Sequence, residues 1–438
     1  MSPPGFIVKQ TYKVYHKRNK YLIVLPDLPQ WFIVDKIGQK IALLVFEEKS
    51  NQEILGRFPD DEKDYINTTI NEIRDIVSIP DFQTANVNLS NQPLTSRTTV
   101  AMVSVTRRCN LKCPHCYVDA TGLRGGELSI KEHKLLAKHL HSLVANNPDI
   151  GYKVNLTGGE PFLHNDIIRI IEAYKKESFE ITMSTNGLLI GDNYISDIKD
   201  MGVALSISLD GATEYTHDFI RGEGTFRKVI KKIVELVNAG VKIGINFLVH
   251  EKNLFEMENT VDLAYSLGCN GFNPINLVQL GRACGSNLKR VSEVEIFKRI
   301  AKHLKANPQQ IKMFSSSSLF SSLGAALLSG ITCISCGVGD RPCVYITEEG
   351  DIFPCPNTQK KEFLLGNIRK QSLAECITLD SPVLKRLRAL NVSNMNSNCS
   401  ICDVKYFCGG DCRGETYHVT KDLTAPYIAC SDRHDSLI

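Results

Sequence analysis

The sequence predicts an α/β fold built on a parallel sheet, with a small domain before it and a cysteine-rich region after it. From Val100 to about Ile275, short strand-like runs alternate with segments whose apolar residues recur at helical spacing. Repeated strand–helix units favour parallel strands, either in an open sheet or closed into a barrel. In both arrangements the functional site lies at the carboxyl ends of the strands.

The N-terminal domain, residues 1–82, is predicted to be a small α+β unit. Strand-like runs at 21–25 and 31–34 precede helical segments. One helix begins at the capping-box pattern of Ser50 with Glu53, and another covers 61–77, where isoleucines recur at helical spacing.

A central domain at 100–312 follows a linker at 83–99 that is rich in Asn, Gln, Ser and Thr. Its predicted strands are 102–105, 153–156, 180–183, 204–209, 243–249 and 271–275. Its predicted helices are 128–144, with a capping box at Ser129 and Glu132, then 166–175, 226–239 and 254–267. A run of serines at 315–318 marks the passage to a C-terminal domain at 313–438.

Length and charge narrow the functional classes. The chain has 438 residues and a net charge of +3, so no general affinity for nucleic acid is expected. No apolar run approaches the roughly 18 residues that a membrane helix needs, and the first residues lack the pattern of a secretory signal. We therefore expect a cytoplasmic protein with neither a membrane nor a nucleic acid as its partner.

The 15 cysteines are unusual in such a chain, and they are unevenly placed. None precedes Cys109, and ten lie at or after Cys333. In a large chain without an export signal, closely spaced cysteines indicate metal sites rather than disulfides.

Cys109, Cys113 and Cys116 follow the first central strand in the spacing Cys-x3-Cys-x2-Cys. Thiolates are soft ligands that suit iron–sulfur clusters, and a [4Fe–4S] cluster normally takes four of them. Three thiolates leave one iron open to a substrate or cofactor, which indicates catalysis. The alternative is a zinc site with His115 as fourth ligand, but His115 lies inside the same short loop and is poorly placed to complete a tetrahedron.

Polar motifs lie at the ends of the later strands: Thr-Gly-Gly-Glu-Pro at 157–161, Ser-Thr-Asn-Gly at 184–187, Ser-Leu-Asp-Gly at 208–211 and Ile-Arg-Gly at 220–222. Glycines let a backbone approach a ligand closely, and a carboxylate there can bind an ammonium group. Each motif alone is a common turn. Four of them on the rim that also carries the cysteines favour one shared site.

Together these residues resemble the radical S-adenosylmethionine (SAM) superfamily over about Val100 to Gly285. The resemblance implies a partial (β/α)6 barrel similar to a TIM barrel, with a [4Fe–4S] cluster on the three cysteines whose open iron chelates SAM. It also implies further SAM contacts: Gly158, Gly159 and Glu160 at the amino group, Ser184, Asn186 and Asp210 along the ribose and methionine, Arg221 at the carboxylate, and Asn246 near the nucleoside. The family cleaves SAM reductively to methionine and a 5′-deoxyadenosyl radical, which removes a hydrogen atom from substrate.

The C-terminal domain carries a second set of cysteines. A zinc ribbon would also fit the Cys-x2-Cys pair at 399–402. The layout over about 332–431 resembles the SPASM domain, which holds two auxiliary [4Fe–4S] clusters. The resemblance implies an inner cluster on Cys336, Cys343, Cys355 and Cys412, and an outer cluster on Cys399, Cys402, Cys408 and Cys430.

Two features of the inner set stay open. Cys333 is an alternative to Cys336 as first ligand, and the family varies at Cys343, so the inner cluster could keep an open iron. Cys269, Cys284, Cys333 and Cys376 are otherwise interpreted as ordinary thiols. Cys284 is the first candidate exception, because its loop follows the last predicted central strand.

The N-terminal domain has two interpretations: a small stabilising domain or a peptide-binding one. Its paired strands followed by helices, over Trp31 to Phe58, resemble the winged-helix-like leader-recognition domains of peptide-modifying enzymes. These domains are similar to the small chaperone of pyrroloquinoline quinone biosynthesis and add a peptide as an extra strand at a sheet edge. The basic run at 13–20 either holds an acidic leader or forms a solvated face.

These features predict a radical SAM/SPASM maturase that installs an oxidative carbon–carbon or thioether cross-link in a ribosomally synthesised precursor peptide. The leader would bind the N-terminal domain, and an external donor such as flavodoxin or ferredoxin would supply electrons. The alternatives are an anaerobic, formylglycine-generating sulfatase maturase and an enzyme of tetrapyrrole or other small-molecule cofactor synthesis. An electron-transfer or metal-sensing protein would not need the motifs at 158–160 and Arg221. The sequence assigns no catalytic acid or base.

Overall fold

The computed structural model describes residues 11–27, 30–77, 99–120, 126–145, 152–314, 334–338, 343–378 and 380–438. It contains a three-stranded N-terminal sheet with helices, a large mixed sheet surrounded by helices, and a cysteine-rich C-terminal region. The predicted α/β class is confirmed. No helix in the described ranges is both long and apolar enough to cross a membrane.

The N-terminal module, defined here as residues 11–77, begins with an antiparallel sheet of β1 (Lys13–Lys17), β2 (Lys20–Leu25) and β3 (Gln30–Val34). Three helices follow: α1 (Lys36–Phe46), α2 (Asn51–Leu55) and α3 (Lys63–Val77). The predicted capping box at Ser50 is present at the start of α2. The helical spacing of isoleucines on α3 buries Ile66, Ile70 and Ile73 against the sheet and α1, so the module has a core of its own.

The sequence pattern does not predict strand β1. Its residues, Lys-Val-Tyr-His-Lys, include too few apolar side chains to look like a strand, yet they pair with β2 from Lys13 opposite Val24 to Lys17 opposite Lys20. Arg18 and Asn19 turn the chain with positive φ angles of 49° and 60°, as in a two-residue hairpin. Pairing with β2 therefore outweighs the weak local preference of β1.

Six parallel strands form the central sheet in chain order: β4 (Thr99–Thr106), β5 (Lys153–Gly158), β6 (Glu180–Thr185), β7 (Ala204–Ser208), β8 (Ile243–Val249) and β9 (Gly271–Asn276). The helices are α4 (Ile130–Ala145), α5 (Ile167–Lys176), α6 (Asp192–Asp200), α7 (Glu214–Arg221), α8 (Thr225–Asn238), α9 (Met257–Ser266) and α10 (Glu293–Ala306). All six predicted strands are present, and α6, α7 and α10 are additional.

Each of these strands is hydrogen-bonded in parallel to the next one along the chain. Their carboxyl ends therefore meet at one edge, where the cysteine loop follows β4 and Asp210 follows β7. Within the described residues β9 pairs only with β8, so the strands form a partial barrel rather than a closed one.

Three short strands from the C-terminal region extend the central sheet, which the sequence does not predict. β10 (Val344–Ile346) pairs in parallel with β4, and β11 (Asp351–Phe353) and β12 (Gly366–Asn367) continue the sheet in antiparallel pairs. Gly350, with φ of 86°, turns the chain between β10 and β11. Backbone hydrogen bonds therefore join the cysteine-rich region to the barrel.

Short helices make up the rest of the C-terminal region: α11 (Leu373–Cys376), α12 (Pro382–Arg388), α13 (Ser397–Ser400), α14 (Lys405–Cys408), α15 (Arg413–Thr420) and α16 (Cys430–Leu437). The buried side chain of Arg413 donates to Leu423 O at 3.2 Å and Ala425 O at 2.7 Å, which ties α15 to the following loop. Of the predicted linker at 83–99, only Thr99 is described, and it begins β4. The serine run at 315–318 lies outside the described residues.

Candidate functional site

The loop after β4 carries Cys109, Cys113 and Cys116 at the carboxyl edge of the sheet. Backbone N–H groups point at two of the sulfur atoms: Leu111 N lies 3.4 Å from Cys109 Sγ, and Ala120 N lies 3.5 Å from Cys116 Sγ. Burial raises the pKa of Cys109 to about 11, and the charges of the other two thiols contribute to that rise. The loop therefore brings three sulfur ligands together.

Residues from the far side of the barrel hold this loop in place, and sequence reasoning missed them. Arg282, after β9, donates from its backbone N to Cys116 O at 2.9 Å and from Nε to Cys113 O at 3.0 Å. Gly281 has φ of 55°, and a Cβ there would lie 2.5 Å from Cys116 O. The available sequence signal is the Gly-Arg pair just past the last central strand, in the loop that also carries Cys284.

Gly158 and Gly159 lie at the end of β5, directly against the cysteine loop. A Cβ on Gly159 would lie 2.2 Å from Arg108 O, and one on Gly158, at φ of 145°, would lie 2.3 Å from Thr106 O. Gly159 N also donates to Thr106 O at 2.7 Å. The missing side chains let the ends of β4 and β5 touch, and this contact positions the loop.

Glu160 is fully buried between the ends of β5 and β6. Its Oε1 accepts hydrogen bonds from Thr185 Oγ1 at 2.7 Å and Phe162 N at 3.2 Å, and its Oε2 accepts one from Asn186 N at 2.8 Å. Burial raises the pKa of this carboxyl. A nearby cation would favour the ionised form, so the site suits an ammonium group.

Asn186 connects the end of β6 to the cysteine loop. Its Nδ2 donates to Asn110 Oδ1 at 2.8 Å, one residue after Cys109. Its Oδ1 accepts from Leu188 N at 3.0 Å, which fixes the orientation of the amide. Asn186 therefore supports the loop as well as lining the rim.

Ser184 and Asn246 lie on β6 and β8. Ser184 Oγ is 3.5 Å from Asn155 Oδ1 on β5, and Asn246 Oδ1 accepts from Asn273 Nδ2 on β9 at 3.3 Å. All four side chains are partly buried in the barrel strands. They give the barrel wall hydrogen-bonding groups suited to a polar ligand.

Asp210 and Arg221 form a buried ion pair between the end of β7 and the end of α7. Arg221 Nε lies 2.7 Å from Asp210 Oδ2, and Leu248 N donates to Oδ1 at 2.9 Å. Burial favours the neutral acid, but the charge of Arg221 prevails and lowers the pKa of Asp210 to about 2. Burial lowers the pKa of Arg221, but the charge of Asp210 and then that of Cys113 raise it, so the guanidinium lies near the cysteine loop. Guanidinium has five N–H donors, so it can hold Asp210 and a ligand carboxylate together.

His115 is buried in the same loop, and its Nδ1 has no hydrogen-bond partner within the described part of the chain. Burial, aided by the charge of Arg221, lowers its pKa to about 3, so the ring is neutral. Thiolates on one zinc ion would lie about 3.8 Å apart, given Zn–S bonds of about 2.3 Å. Within the described residues, the one set of three ligand atoms within 4.8 Å of one another is Cys402, Asp403 and His434. The three loop sulfurs do not form such a set.

The C-terminal cysteines that the structure describes fall into two groups. In the first, burial raises the pKa of Cys355 to about 12, and the charges of Cys412 and Cys336 add to it. Asn357 Nδ2 and Glu415 N each donate to Cys412 Sγ at 3.3 Å. Three of the four residues of the predicted inner set therefore lie close together. The fourth, Cys343, lies directly before β10.

The second group contains the residues of the predicted outer set. Burial raises the pKa of Cys402, and the charges of Asp403, Cys430 and Cys399 add to that rise. Burial also raises the pKa of Cys408 to about 12, with a contribution from Cys402. The four thiols come from α13, α14, α16 and the short connection between α13 and α14.

All three groups are thiols without disulfides, with N–H donors at several sulfurs, and this donor set fits iron–sulfur clusters. Cys269 and Cys376 are buried, and Cys284 is exposed, with Sγ 3.5 Å from His418 Nε2. Cys333 lies outside the described residues.

Family comparisons agree with this arrangement. Residues 103–264 match the Radical SAM superfamily, and residues 336–403 match SPASM, described as an iron–sulfur cluster-binding domain. The chain belongs to the radical SAM enzymes with a SPASM domain. The enzyme therefore uses SAM and iron–sulfur clusters, and the first match covers the cysteine loop and the rim residues described above.

Two curated relatives cover most of the enzyme. It is 29% identical to the AdoMet-dependent heme synthase of Methanosarcina barkeri over 340 residues. This alignment covers 73% of this chain and 92% of the relative. It is 26% identical over 389 residues to the antilisterial bacteriocin subtilosin biosynthesis protein AlbA of Bacillus subtilis, which covers 85% of this chain and 80% of the relative.

A solved structure shares the whole architecture. Streptococcus suis SuiB bound to S-adenosylmethionine superposes with a TM-score of 0.63 at 16% identity, covering 96% of this chain and 98% of SuiB. This coverage includes most of the N-terminal module. At this identity the likeness concerns the fold, in which the module, the barrel and the cysteine-rich region occur together.

Proposed function

We propose that the enzyme modifies a ribosomally synthesised precursor peptide and closes an oxidative carbon–carbon or thioether cross-link within it. The N-terminal module carries the proposal, because it offers an open sheet edge and is attached to the cysteine-rich region. AlbA, named for bacteriocin biosynthesis, and SuiB, whose structure is also known bound to the precursor peptide SuiA, support a peptide substrate.

Strand β3 is the edge that suits a peptide. Among the described strands, β3 pairs only with β2. Ile33 on this strand is exposed, and the exposed Tyr65 of α3 donates to Asp35 Oδ2, just after β3, at 3.2 Å. An extended leader added here would gain backbone hydrogen bonds from β3 and apolar contacts with Ile33 and Tyr65.

Strand β1, at the other edge, faces the cysteine-rich region. Lys13 Nζ lies 3.8 Å from the carboxylate of Asp403, so one charge of the basic run at 13–20 already forms an ion pair within the chain. Lys17, Arg18 and Lys20 are exposed on the β1–β2 hairpin. These three charges remain available for an acidic leader.

The residues of the barrel would bind the cluster and SAM and position them relative to each other. We assign one cluster to Cys109, Cys113 and Cys116, and propose that Glu160 faces the SAM ammonium while Arg221 faces its carboxylate. Ser184 and Asn186 would line the ribose and methionine, and Gly158 and Gly159 keep the loop in place. When bound, SAM and its cluster supply the 5′-deoxyadenosyl radical, after reduction by an external donor such as flavodoxin or ferredoxin.

Closing a cross-link removes two hydrogens from the peptide. One leaves as a hydrogen atom to form 5′-deoxyadenosine, and the other leaves as a proton and an electron. The two C-terminal cysteine groups, with Cys343 as the fourth inner ligand, would hold auxiliary clusters able to accept that electron. This is the reason to propose three clusters, or about twelve irons, in each chain.

The test is an anaerobic assay of the reconstituted enzyme with SAM, a reductant and the short peptide encoded nearest its gene. We expect 5′-deoxyadenosine together with a peptide that has lost two hydrogens, read by mass spectrometry. Ile33→Asp should reduce peptide modification, while Ile311→Asp, at another exposed isoleucine far along the chain, should not. Deoxyadenosine with an unchanged peptide would count against a peptide substrate.

A second candidate is tetrapyrrole synthesis, favoured by the identity to the heme synthase across 73% of this chain. In that case the N-terminal module would have a stabilising role. The same assay with an iron-containing tetrapyrrole precursor separates the two candidates. Haem formation with no change in the peptide supports the second, and the converse supports the first.

A further inference from the structure

The N-terminal module contacts the loop of the predicted outer cluster through a shared carboxylate. Tyr15 Oη of β1 donates a hydrogen bond to Asp403 Oδ2, and Lys13 Nζ lies 3.8 Å from the same oxygen. Asp403 directly follows Cys402 and its side chain is only 2% exposed. One acid beside a cluster ligand is therefore held by two residues of the module.

A second ion pair joins the same two regions with the charges reversed. Asp27, after β2, lies with Oδ1 3.3 Å from Lys405 Nζ, which also donates to Ser400 O at 3.2 Å. Because the module supplies a cation to one pair and an anion to the other, the contacts fix its orientation. The side chain of Lys405 is 8% exposed, and burying a charge without a partner is strongly unfavourable. Docking of the module is therefore part of the fold.

Asp403 is close to Cys402 in space as well as in sequence. A carboxylate oxygen of Asp403, Cys402 Sγ and a ring nitrogen of His434 all lie within 4.8 Å of one another. His434 Nε2, on α16, is 2.9 Å from Asp403 Oδ1. The acid and the imidazole are therefore hydrogen-bonded to each other beside the thiol of Cys402.

We propose that Tyr15 is a positioning residue for the outer cluster, and that it sets the reduction potential of that cluster through Asp403. The inference rests on the proposed function and on the assignment of Cys402 to the cluster. Charge and hydrogen bonds around ligand sulfurs tune such potentials. A carboxylate beside the cluster stabilises the oxidised form and lowers the potential, and the Tyr15 hydroxyl offsets part of that charge. The module proposed to bind the leader thus also acts on the electron acceptor.

The test is a redox titration of the reconstituted full-length enzyme, with the reduced auxiliary clusters followed by electron paramagnetic resonance. The variants are Tyr15→Phe, Asp403→Asn and the double substitution. Phenylalanine keeps the ring and so keeps the surface covered. Tyr12→Phe is the matched control, because Tyr12 stacks on Phe46 inside the module at a centroid distance of 4.6 Å. Iron content is measured first for every variant.

We expect Asp403→Asn to raise the midpoint potential and Tyr15→Phe to lower it, with no further effect of Tyr15→Phe when Asp403→Asn is present. Tyr12→Phe should leave the potential unchanged. The inference would be overturned if Tyr15→Phe shifted the midpoint potential equally with and without Asp403→Asn, or if it did not shift the potential at all.

Iron content decides how the potentials are interpreted. If Tyr15→Phe loses iron, Lys13→Gln weakens the same carboxylate contact without removing the hydrogen bond, and it should lower the potential. Wild-type enzyme with too little iron for auxiliary clusters would defeat the cluster assignment and the inference with it. Full iron content with unchanged potentials would defeat only the inference and leave the proposed peptide chemistry standing.

Discussion

The loop that carries Cys109 and the region that carries the C-terminal cysteines offer the same kind of ligand but are built differently. The first three cysteines lie within eight residues, on a loop fixed by strand ends, by Gly159 and by Arg282. The others come from segments between 336 and 430 that are joined by short strands, short helices and loops. A site on adjoining strands is formed by the fold, whereas a site assembled from scattered segments depends more on what it binds.

The largest expected effect is on the first site. Cys113→Ala should abolish 5′-deoxyadenosine formation, because the cluster proposed on this loop would lose a ligand, while the fold remains intact. About eight of about twelve irons should remain. Iron analysis, product chromatography and thermal unfolding check this. Cys284→Ala, at an exposed thiol, is the control and should keep full SAM cleavage.

The contrasting change is Cys408→Ala in the outer group. We expect loss of about a third of the iron and a loosening of α13, α14 and α16, since the outer cluster proposed on their cysteines would hold these short helices together. Hydrogen exchange should rise in these helices and stay low in β4–β9. Equal exchange in variant and wild type would show that the cysteine-rich region is as self-sufficient as the barrel.

A smaller effect is expected at the buried ion pair of the barrel. Arg221→Gln leaves the buried carboxyl of Asp210 without its charged partner, which costs about 3–5 kcal/mol of unfolding free energy. It should also weaken SAM binding. Arg227→Gln breaks an exposed pair with Glu214 and should change stability little. Denaturant unfolding and calorimetric SAM titration measure both, and similar losses in the two variants would contradict the role given to burial.

The smallest expected effect is at the contact between β4 and β5. Gly159→Ala places a Cβ 2.2 Å from Arg108 O, so the cysteine loop must shift, at a cost of about 1–3 kcal/mol. The affinity for SAM should fall because the cysteine loop is displaced. Gly285→Ala, where no atom lies within 4 Å of the added carbon, is the control. An unchanged affinity in Gly159→Ala would mean that the loop tolerates displacement.

Much of the barrel could be predicted because its signals are local. Strand β8 has the predicted bounds Ile243–Val249, with buried and partly buried residues alternating along it. Strands β1 and β10–β12 could not be predicted, since they are short or polar and gain their stability from partners distant in sequence. β10, for example, pairs with β4 more than 200 residues earlier.

The candidate site likewise contains some residues that the sequence reveals and others that only the structure reveals. Close spacing reveals Cys109, Cys113 and Cys116, and the motif Gly-Gly-Glu marks the end of β5. Arg282, which holds the cysteine loop, is marked only by the Gly-Arg pair after the last central strand, and Asp403, which joins the module to the outer group, carries no mark. Both act through contacts made only after distant segments meet.

The sequence by itself determined the ligand types, the order of the central strands and the edge where the polar motifs gather, because spacing and periodicity are local properties. Tertiary structure alone decided that the sheet runs on into the cysteine-rich region and that β1 docks on Asp403. It also decided that Asp210 holds Arg221 beside the cysteine loop. Strand pairing and buried charge pairs depend on which distant residues become neighbours, and no local pattern records that choice.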